Sequence, residues 1–362
     1  MTDVPAMTWW LLAAVLAIGP RGDGARPFAA GLAVSMAVLT RPNLVPLAAI
    51  VGPYVVAGVS QTKHGSYVVR LLLQFVAGLA PGLALLGVLQ SKMYGSPFAT
   101  GYGAPQDLFH AANVFANLRQ YGRWLAETHT TLLGLAIAAP FVMRRREAWL
   151  GLGIALMTLA LYLPYRVFDD WSYVRFLLPA IPWLIVWSLI VIDRAASRFA
   201  GRRSGAVMAV VVVALGAFWV NTARQRSAFD LVRLEHHFID AGTFVAERLV
   251  DRTAILTVRH SGSVHYYSQR PTVSWDTIEP GSLDRALAFL RGEGLAPMLL
   301  LDTSEESAFR ARFEAASPIG RLDWPPIARI GRTIRVYNPG DRARYFAGAT
   351  IQTIDWPVPR IR

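Results

Sequence analysis

Long uninterrupted runs of apolar residues occupy most of the first 221 positions of the chain, and short polar segments separate them. The runs cover residues 7–19, 28–39, 44–59, 68–90, 131–143, 148–165, 174–193 and 205–221. A straight helix needs ~20 apolar residues to cross a membrane, so the shorter runs must borrow flanking residues or form broken helices buried by neighbours. The pattern predicts an α-helical membrane part with about seven to eight transmembrane helices.

After Asn221 the pattern changes to short apolar runs between regularly spaced charges. Ala254–Val258 and Met298–Leu301 have the length and composition of buried strands, and Thr333–Tyr337 suggests another. Two longer segments have helical periodicity, at Ser282–Arg291 and Glu305–Glu314. This part of the chain is therefore predicted to be a water-soluble α/β domain.

The composition agrees with a division into two parts. Of the 362 residues, 54% are hydrophobic and 17% are charged, whereas an average soluble domain has roughly 25% charged residues. The deficit in charge belongs to the first part. We therefore assign residues 1–221 to a transmembrane helical domain and residues 222–362 to a C-terminal α/β domain, and we exclude a soluble globular enzyme.

The net charge of +12 comes from arginine, since Lys63 and Lys92 are the only lysines. Many arginines lie between apolar runs, in clusters at Arg144–Arg146 and Arg194–Arg203. Because cytoplasmic loops are enriched in Lys and Arg, both clusters are expected inside the cell, and no nucleic-acid partner is expected. Alternation then puts the loop at residues 166–173, the C-terminal domain, and the segments around Asp3 and Arg41 outside.

The same alternation places the start of the chain outside without a charge signal to direct it there. One explanation is that upstream membrane spans are missing from this sequence. The alternative is a single kinked helix over residues 28–59, which places the start inside. We favour the first.

Several kinds of site are excluded by the residue inventory. The chain has no cysteine, which excludes disulfides, thiolate metal sites and cysteine nucleophiles. Histidines in the C-terminal domain, at positions 236, 237, 260 and 265, lack the HExxH spacing of metalloproteases, so we predict no metal site there. No P-loop, GxGxxG or GxSxG element stands in a suitable setting.

Arg41-Pro42-Asn43 separates two apolar runs, and the proline is expected to end the first helix. No acidic residue lies beside Arg41 in the sequence. An arginine in this position is suited to bind a lipid phosphate through paired hydrogen bonds. The alternative is an interfacial arginine whose head group reaches the water.

A segment rich in glycine, aromatic and hydroxyl residues follows the 68–90 run and contains Tyr94, Ser96 and Tyr102. Glycine lets the backbone approach a ligand, and tyrosine stacks on sugars. The alternative is a turn in the aromatic belt of the membrane interface.

The short loop before the 174–193 run places Asp169 and Asp170 between Arg166 and Arg175, with Tyr173 close by. Carboxylate oxygens are ligands for hard cations, so the pair is a candidate metal site. An interfacial cluster of salt bridges is the alternative, and we slightly prefer it.

Asp3 precedes Val4-Pro5 at the start of the first run, where an acidic residue is a common helix cap.

The order of these motifs resembles that of polyprenyl-phosphate-sugar-dependent membrane glycosyltransferases of the GT-C class. The motifs are Thr2-Asp3-Val4-Pro5-Ala6, Leu39-Thr40-Arg41-Pro42-Asn43, Tyr94-Gly95-Ser96-Pro97 and Tyr173-Val174-Arg175-Phe176-Leu177-Leu178-Pro179-Ala180. The chain is similar over its whole length to the protein mannosyltransferase and lipid A aminoarabinose transferase families, whose bacterial members are often assigned to glycosyltransferase family 39.

The resemblance implies hexosyl or pentosyl transfer from a polyprenyl-phosphate donor to an envelope lipid, glycan or protein. The reaction is expected at the periplasmic face of the bacterial inner membrane, often with Mg²⁺ or Mn²⁺. It assigns Arg41 to the lipid phosphate and makes Asp3 a secondary acidic residue in a catalytic position. The other residues expected at the substrate site are Asn43, Tyr94, Ser96, Tyr102, Tyr173 and Arg175.

The main catalytic aspartate of these families lies in an outer loop that is expected before Asp3 and is absent from this sequence. The resemblance therefore implies a truncated enzyme with little activity. The alternative is a non-catalytic membrane component of an envelope-polysaccharide assembly. A transporter is less favoured, because the sequence has neither inverted repeats nor acidic residues in mid-span.

Overall fold

The computed structural model describes residues 2–19, 25–56, 65–100 and 108–356. The chain forms two compact units, Met1–Thr222 and Ala223–Arg362. The first unit is helical, and the second contains a small sheet between helices.

The first unit contains nine α-helices among its described residues, joined in places by 3-10 helices. The α-helices are α1 (Asp3–Ile18), α2 (Ala25–Thr40), α3 (Ala48–Val56), α4 (Gly65–Tyr94), α5 (Asn113–His129), α6 (Ala139–Met143), α7 (Arg146–Tyr162), α8 (Ile181–Ala200) and α9 (Ser204–Gln225). The 3-10 helices are Pro42–Leu47, Thr131–Ala138, Trp171–Leu177 and Gly201–Arg203.

Two helical segments of the described chain, Gly65–Tyr94 and Ile181–Gln225, are long and apolar enough to cross a membrane. A third candidate is the pair α5 and Thr131–Met143, which is bent by 105°. These segments indicate a membrane protein. The prediction of seven to eight spans is not supported, because the apolar helices up to Val56 are only 10–17 residues long.

The helices α2 and α4 pack backbone against backbone through small residues. A side chain at Gly78 would overlap the carbonyl oxygen of Phe28, and one at Gly82 would overlap Ser35. Because the contacts advance in the same direction along both chains, the two helices run parallel. Small residues four apart are the usual means by which membrane helices approach this closely.

The segment Pro42–Val56 runs antiparallel to α7. Asn43 hydrogen-bonds Tyr162 at the end of α7, and the guanidinium carbon of Arg146, at its start, lies 5.9 Å from the ring centre of Tyr54. Between these contacts, a side chain added at Gly153 would lie 3.1 Å from Ile50. The start of the segment and the end of α7 therefore meet at one end of the unit.

The segment Ile181–Gln225 turns back on itself at Gly201, whose φ of +52° favours glycine. Ile185 and Ile192 of α8 line the same cavity as Leu215 and Trp219 of α9. A continuous helix would separate these residues by tens of ångströms, since each residue adds about 1.5 Å. The two helices are therefore antiparallel.

The second unit is an α/β domain with a mixed six-stranded sheet. Its strands are β1 (Thr253–Leu256), β2 (Thr272–Val273), β3 (Ala296–Asp302), β4 (Ala328–Ile330), β5 (Ile334–Tyr337) and β6 (Ile354–Trp356), in the order β2-β1-β3-β5-β4-β6. Strand β1 is parallel to β2 and β3, and β5 is antiparallel to β3 and β4. The helices are α10 (Leu231–Glu235), α11 (His237–Arg248), α12 (Ser261–Ser268), α13 (Leu283–Gly292), α14 (Thr303–Phe313) and α15 (Asp341–Phe346), and the 3-10 helices are Ala228–Asp230, Trp275–Thr277, Pro280–Ser282 and Pro318–Arg321.

Buried strand residues alternate between two apolar cores, as the pleat requires. Leu299 and Leu301 face a core with Phe309 of α14, whereas Leu300 faces a core with Phe244 of α11. The three predicted strands and the two predicted helices of this domain are confirmed, with small shifts at their ends.

Candidate functional site

A buried carboxylate and two arginines meet at one end of the first unit. Asp3 lies in the first turn of α1 and is 8% exposed. Arg41 follows the last residue of α2, and Arg175 lies in the 3-10 helix Trp171–Leu177. Since Asp3 begins α1 and Arg41 follows α2, their contact shows that these packed helices are antiparallel.

Each oxygen of the Asp3 carboxylate faces one arginine. Oδ1 is in contact with Nη1 of Arg41, and Oδ2 lies 3.7 Å from Nε of Arg175. The arginine side chains differ in exposure, at 13% for Arg41 and 32% for Arg175. The more exposed Arg175 therefore forms the open side of a group that carries a net charge of +1.

Aromatic rings support both guanidinium groups. The guanidinium carbon of Arg41 lies 4.8 Å from the ring centre of Phe176 and 5.4 Å from that of Tyr162. The guanidinium carbon of Arg175 lies 4.9 Å from the ring centre of Tyr173. These distances fall within the range of cation–π attraction, which gains strength where water is excluded. We call Asp3, Arg41, Asn43, Tyr162, Tyr173, Arg175 and Phe176 the Asp3 cluster.

Hydrogen bonds fix the framework of the cluster. The side-chain amide of Asn43 donates to the hydroxyl of Tyr162 at 2.7 Å. The buried amide of Asn117, on α5, donates to the backbone carbonyls of Leu163 at 3.0 Å and Tyr165 at 2.6 Å. The chain that leaves α7 is thus attached to α5, and Tyr162 is held beside Arg41.

The structure brings together five of the residues expected from the sequence, namely Asp3, Arg41, Asn43, Tyr173 and Arg175. No contact joins Tyr94 or Ser96 to them among the described residues. Tyr94 ends α4 and is 45% exposed, and the hydroxyl of Ser96 accepts a hydrogen bond from the N–H of Phe98. Tyr102 lies outside the described residues.

Asp169 and Asp170, the candidate metal ligands of the loop before Trp171, belong to no group of three or more metal-binding side chains within the described part of the chain. Asp170 accepts the N–H of Ser172 at 2.8 Å and so caps the 3-10 helix, and Asp169 is exposed. In the Asp3 cluster, two cationic guanidiniums surround one carboxylate. These described residues do not provide the set of oxygen ligands that Mg²⁺ or Mn²⁺ prefers, so we assign such an ion no step.

Sequence reasoning missed Tyr162 as a member of the cluster and did not single out Phe176 within its motif. Tyr162 lies within the apolar run 148–165, in which a tyrosine is unremarkable. Its signal is the spacing of aromatic residues from Tyr162 to Phe176, where stacked pairs form at Tyr162–Phe176 and Phe168–Tyr173.

The arrangement can bind an anion and offer an aromatic surface beside it. A guanidinium presents several N–H donors in one plane, so Arg41 and Arg175 can each contact a phosphate oxygen as well as Asp3.

No protein-family model, curated protein or solved structure matches the chain.

Proposed function

We propose that the first unit carries the site of a membrane glycosyltransferase, which transfers a sugar from a polyprenyl-phosphate donor to an envelope lipid, glycan or protein. We place the protein in a bacterial inner membrane, with the site and the second unit on the periplasmic side. The proposal extends the family resemblance of the sequence motifs.

The observation that supports it best is the position of Asp3 between Arg41 and Arg175 beside aromatic rings. A lipid phosphate lies at the boundary between apolar chains and water. Two arginines at the ends of apolar segments suit this boundary, because they pair with phosphate through several hydrogen bonds. Tyr173, whose ring stacks on Phe168, is partly exposed and is suited to contact a sugar.

In the proposed reaction the hydroxyl oxygen of the acceptor forms a bond to the anomeric carbon of the sugar. The bond from that carbon to the phosphate oxygen breaks, and its electron pair stays with the phosphate. Arg41 and Arg175 stabilise the negative charge of this leaving group. The hydroxyl proton passes to a base.

We assign the base to Asp3 after the donor has bound. The phosphate competes with Asp3 for Arg175, whose contact at 3.7 Å is longer than a hydrogen bond. As Arg175 turns to the phosphate, Oδ2 of Asp3 becomes available to the acceptor. Arg41 and Arg175 therefore bind the donor, whereas Asp3 is needed for transfer.

Two measurements on the full chain in detergent test this division of roles. The first is binding of a short-chain polyprenyl phosphate, with the uncharged polyprenol as control. The second is transfer of labelled sugar in membranes. We expect Arg41→Ala to weaken phosphate binding by about tenfold or more, since a hydrogen bond to a charged group contributes about 1.5–3 kcal/mol.

Asp3→Asn is expected to keep phosphate binding and to lose transfer. The matched control is Arg166→Ala, because Arg166 is an exposed arginine close to the cluster in sequence. Equal binding of polyprenol and its phosphate, or equal losses in Arg166→Ala and Arg41→Ala, contradicts the phosphate site. Binding without transfer by the unchanged protein contradicts the assignment of the base to Asp3 and agrees with a non-catalytic envelope component.

A further inference from the structure

Three side chains of the second unit that are capable of binding a metal converge at one edge of the sheet. His260 follows β1 and precedes α12, Asp302 is the last residue of β3, and His237 is the first residue of α11. Strands β1 and β3 are parallel neighbours, so their carboxyl ends meet at this edge. The same edge of parallel sheets is where ligands bind in many α/β proteins.

The three ligand atoms lie within 4.8 Å of one another, and this is the one such group found among residues 2–19, 25–56, 65–100 and 108–356. Nε2 of His260 is 4.0 Å from Oδ2 of Asp302. His260 is completely buried, and within the described structure neither of its ring nitrogens has a hydrogen-bond partner. An unpaired polar group is costly to bury, so its presence requires an explanation.

The surroundings of Asp302 leave one of its oxygens directed at the histidine. Oδ1 accepts the backbone N–H of Ser304 at 3.0 Å and the hydroxyl of the same residue at 2.8 Å. These bonds cap α14, and Glu305 completes the capping box. The cap fixes the carboxylate and leaves Oδ2 beside the imidazole.

We propose that His237, His260 and Asp302 bind a divalent transition-metal ion, with Zn²⁺ the best match. The proposal concerns the second unit alone and does not depend on the glycosyltransferase site.

The ligand types select the metal. Two imidazoles and one carboxylate suit zinc and neighbouring transition metals, whereas Mg²⁺ and Ca²⁺ prefer oxygen ligands.

Only a small movement is needed to form the site. Tetrahedral zinc with bonds of ~2.0 Å holds its ligand atoms ~3.3 Å apart. Nε2 of His260 and Oδ2 of Asp302 lie 4.0 Å apart, and all three ligand atoms lie within 4.8 Å of one another. Small adjustments of all three side chains, of which His237 is only partly buried, would close these separations. The ion would connect α11 to two strand ends and retain a fourth position for water or another oxygen ligand.

The test uses the full chain in detergent after treatment with EDTA. Titration with ZnCl₂, followed by calorimetry, is expected to give one high-affinity site per chain, and CoCl₂ is expected to produce visible absorption typical of a tetrahedral site. We expect His237→Ala and Asp302→Asn each to weaken Zn²⁺ binding by about tenfold or more, because loss even of an outer partner costs about 10–100-fold. Asparagine at position 302 keeps the helix cap, so the domain is expected to fold.

The matched control is His265→Ala. His265 is an exposed histidine whose ring contacts the carbonyl of Arg270 at 3.0 Å, apart from the proposed ligands. It is expected to retain full affinity. Absence of stoichiometric Zn²⁺ binding, or unchanged affinity in both His237→Ala and Asp302→Asn, overturns the proposal.

Discussion

The role of Arg41 depends on residues that are distant from it in the sequence. Its sequence neighbours offer no anion, yet in the structure it contacts Asp3 and lies against Tyr162 and Phe176. Asp3 in turn lies at the N-terminal end of a helix, where the helix dipole favours a negative charge. The buried ions are stabilised together, and neither would be well placed alone.

A double-mutant cycle on this pair tests the mutual stabilisation. Asp3→Ala leaves Arg41 without its carboxylate in a site where the side chain is 13% exposed, and Arg41→Ala leaves Asp3 with Arg175 alone. Each change is expected to lower the apparent Tm in detergent. The double variant should lose less stability than the two single variants lose in sum, with a coupling energy of about 1–3 kcal/mol. Additive effects would show that the two charges do not stabilise each other.

Glu306 is the corresponding buried charge of the second unit. Its carboxylate accepts hydrogen bonds from Arg335 at 3.0 Å and from the hydroxyl of Tyr337 at 2.9 Å. Burial, followed by the charge of Glu306, raises the pKa of Tyr337 to about 12. The hydroxyl of Tyr337 therefore stays protonated and donates a hydrogen bond to Glu306. Glu306→Ala is expected to reduce the free energy of unfolding by about 1–3 kcal/mol, because it leaves the buried hydroxyl of Tyr337 without its acceptor. A loss below about 1 kcal/mol, the usual value for a surface pair, would contradict this role.

The ion pair of Asp323 with Arg342 on the surface is expected to stabilise the fold in a pH-dependent way. Arg342 donates two hydrogen bonds to the carboxylate of Asp323, at 2.8 and 2.9 Å, and lowers its pKa below the ordinary value of 3.8. The ionised form is therefore stabilised above pH 3.8, and this contribution is lost as the pH falls through the lower pKa of the folded state. The Tm difference between the unchanged protein and Asp323→Asn should be constant near neutral pH and disappear in acid. A difference that persists at the lowest pH would exclude the ionic origin.

At the scale of elements, proline and glycine decide where the apolar runs depart from simple helices. The 174–193 run is long enough for one continuous helix, but Trp171–Leu177 is a 3-10 helix and α8 begins only at Ile181. Pro179 lacks an N–H, and Pro182 occupies the first turn of α8, where proline is well tolerated. The two prolines in the local sequence are therefore sufficient to predict the break between Leu177 and Ile181.

The close packing of α2 and α4 gives a sharp test with a control on the same helix. Gly78→Ala places a methyl group on the carbonyl oxygen of Phe28, whereas at Gly87 the nearest atom would be Pro97 Cβ at 3.7 Å. Backbone overlap forces the helices apart, so Gly78→Ala is expected to lower the apparent Tm clearly. Gly87→Ala should leave it equal or higher, because alanine is the better helix former. Similar losses at both positions would mean that helix contact is not the cause.

At the scale of the whole molecule, the sequence predicted the membrane part and the α/β part better than it predicted which distant side chains come into contact. The apolar runs and the spaced charges after Asn221 distinguish a membrane part from an α/β part without tertiary information. Convergence of Asp3, Arg41 and Arg175 depends on helix pairing, and that of His260 with Asp302 depends on strand order. Local spacing contains neither kind of information, so the search for HExxH missed a group whose members follow one strand, end another and begin a helix.

The orientation of the helices makes a final prediction about the two sides of the membrane. The Asp3 cluster gathers the start of α1, the end of α2 and the end of α7 on one side, while the start of α7 carries Arg146 on the other. The turn between α8 and α9 carries Arg202 and Arg203. Since arginine-rich turns remain in the cytoplasm, we expect a reporter fused after Arg146 to be cytoplasmic and one fused after Asn221 to be outside. Green fluorescent protein should therefore fluoresce at the first junction, and alkaline phosphatase should be active at the second. The reverse pattern would place the Asp3 cluster on the cytoplasmic side and exclude a periplasmic transferase.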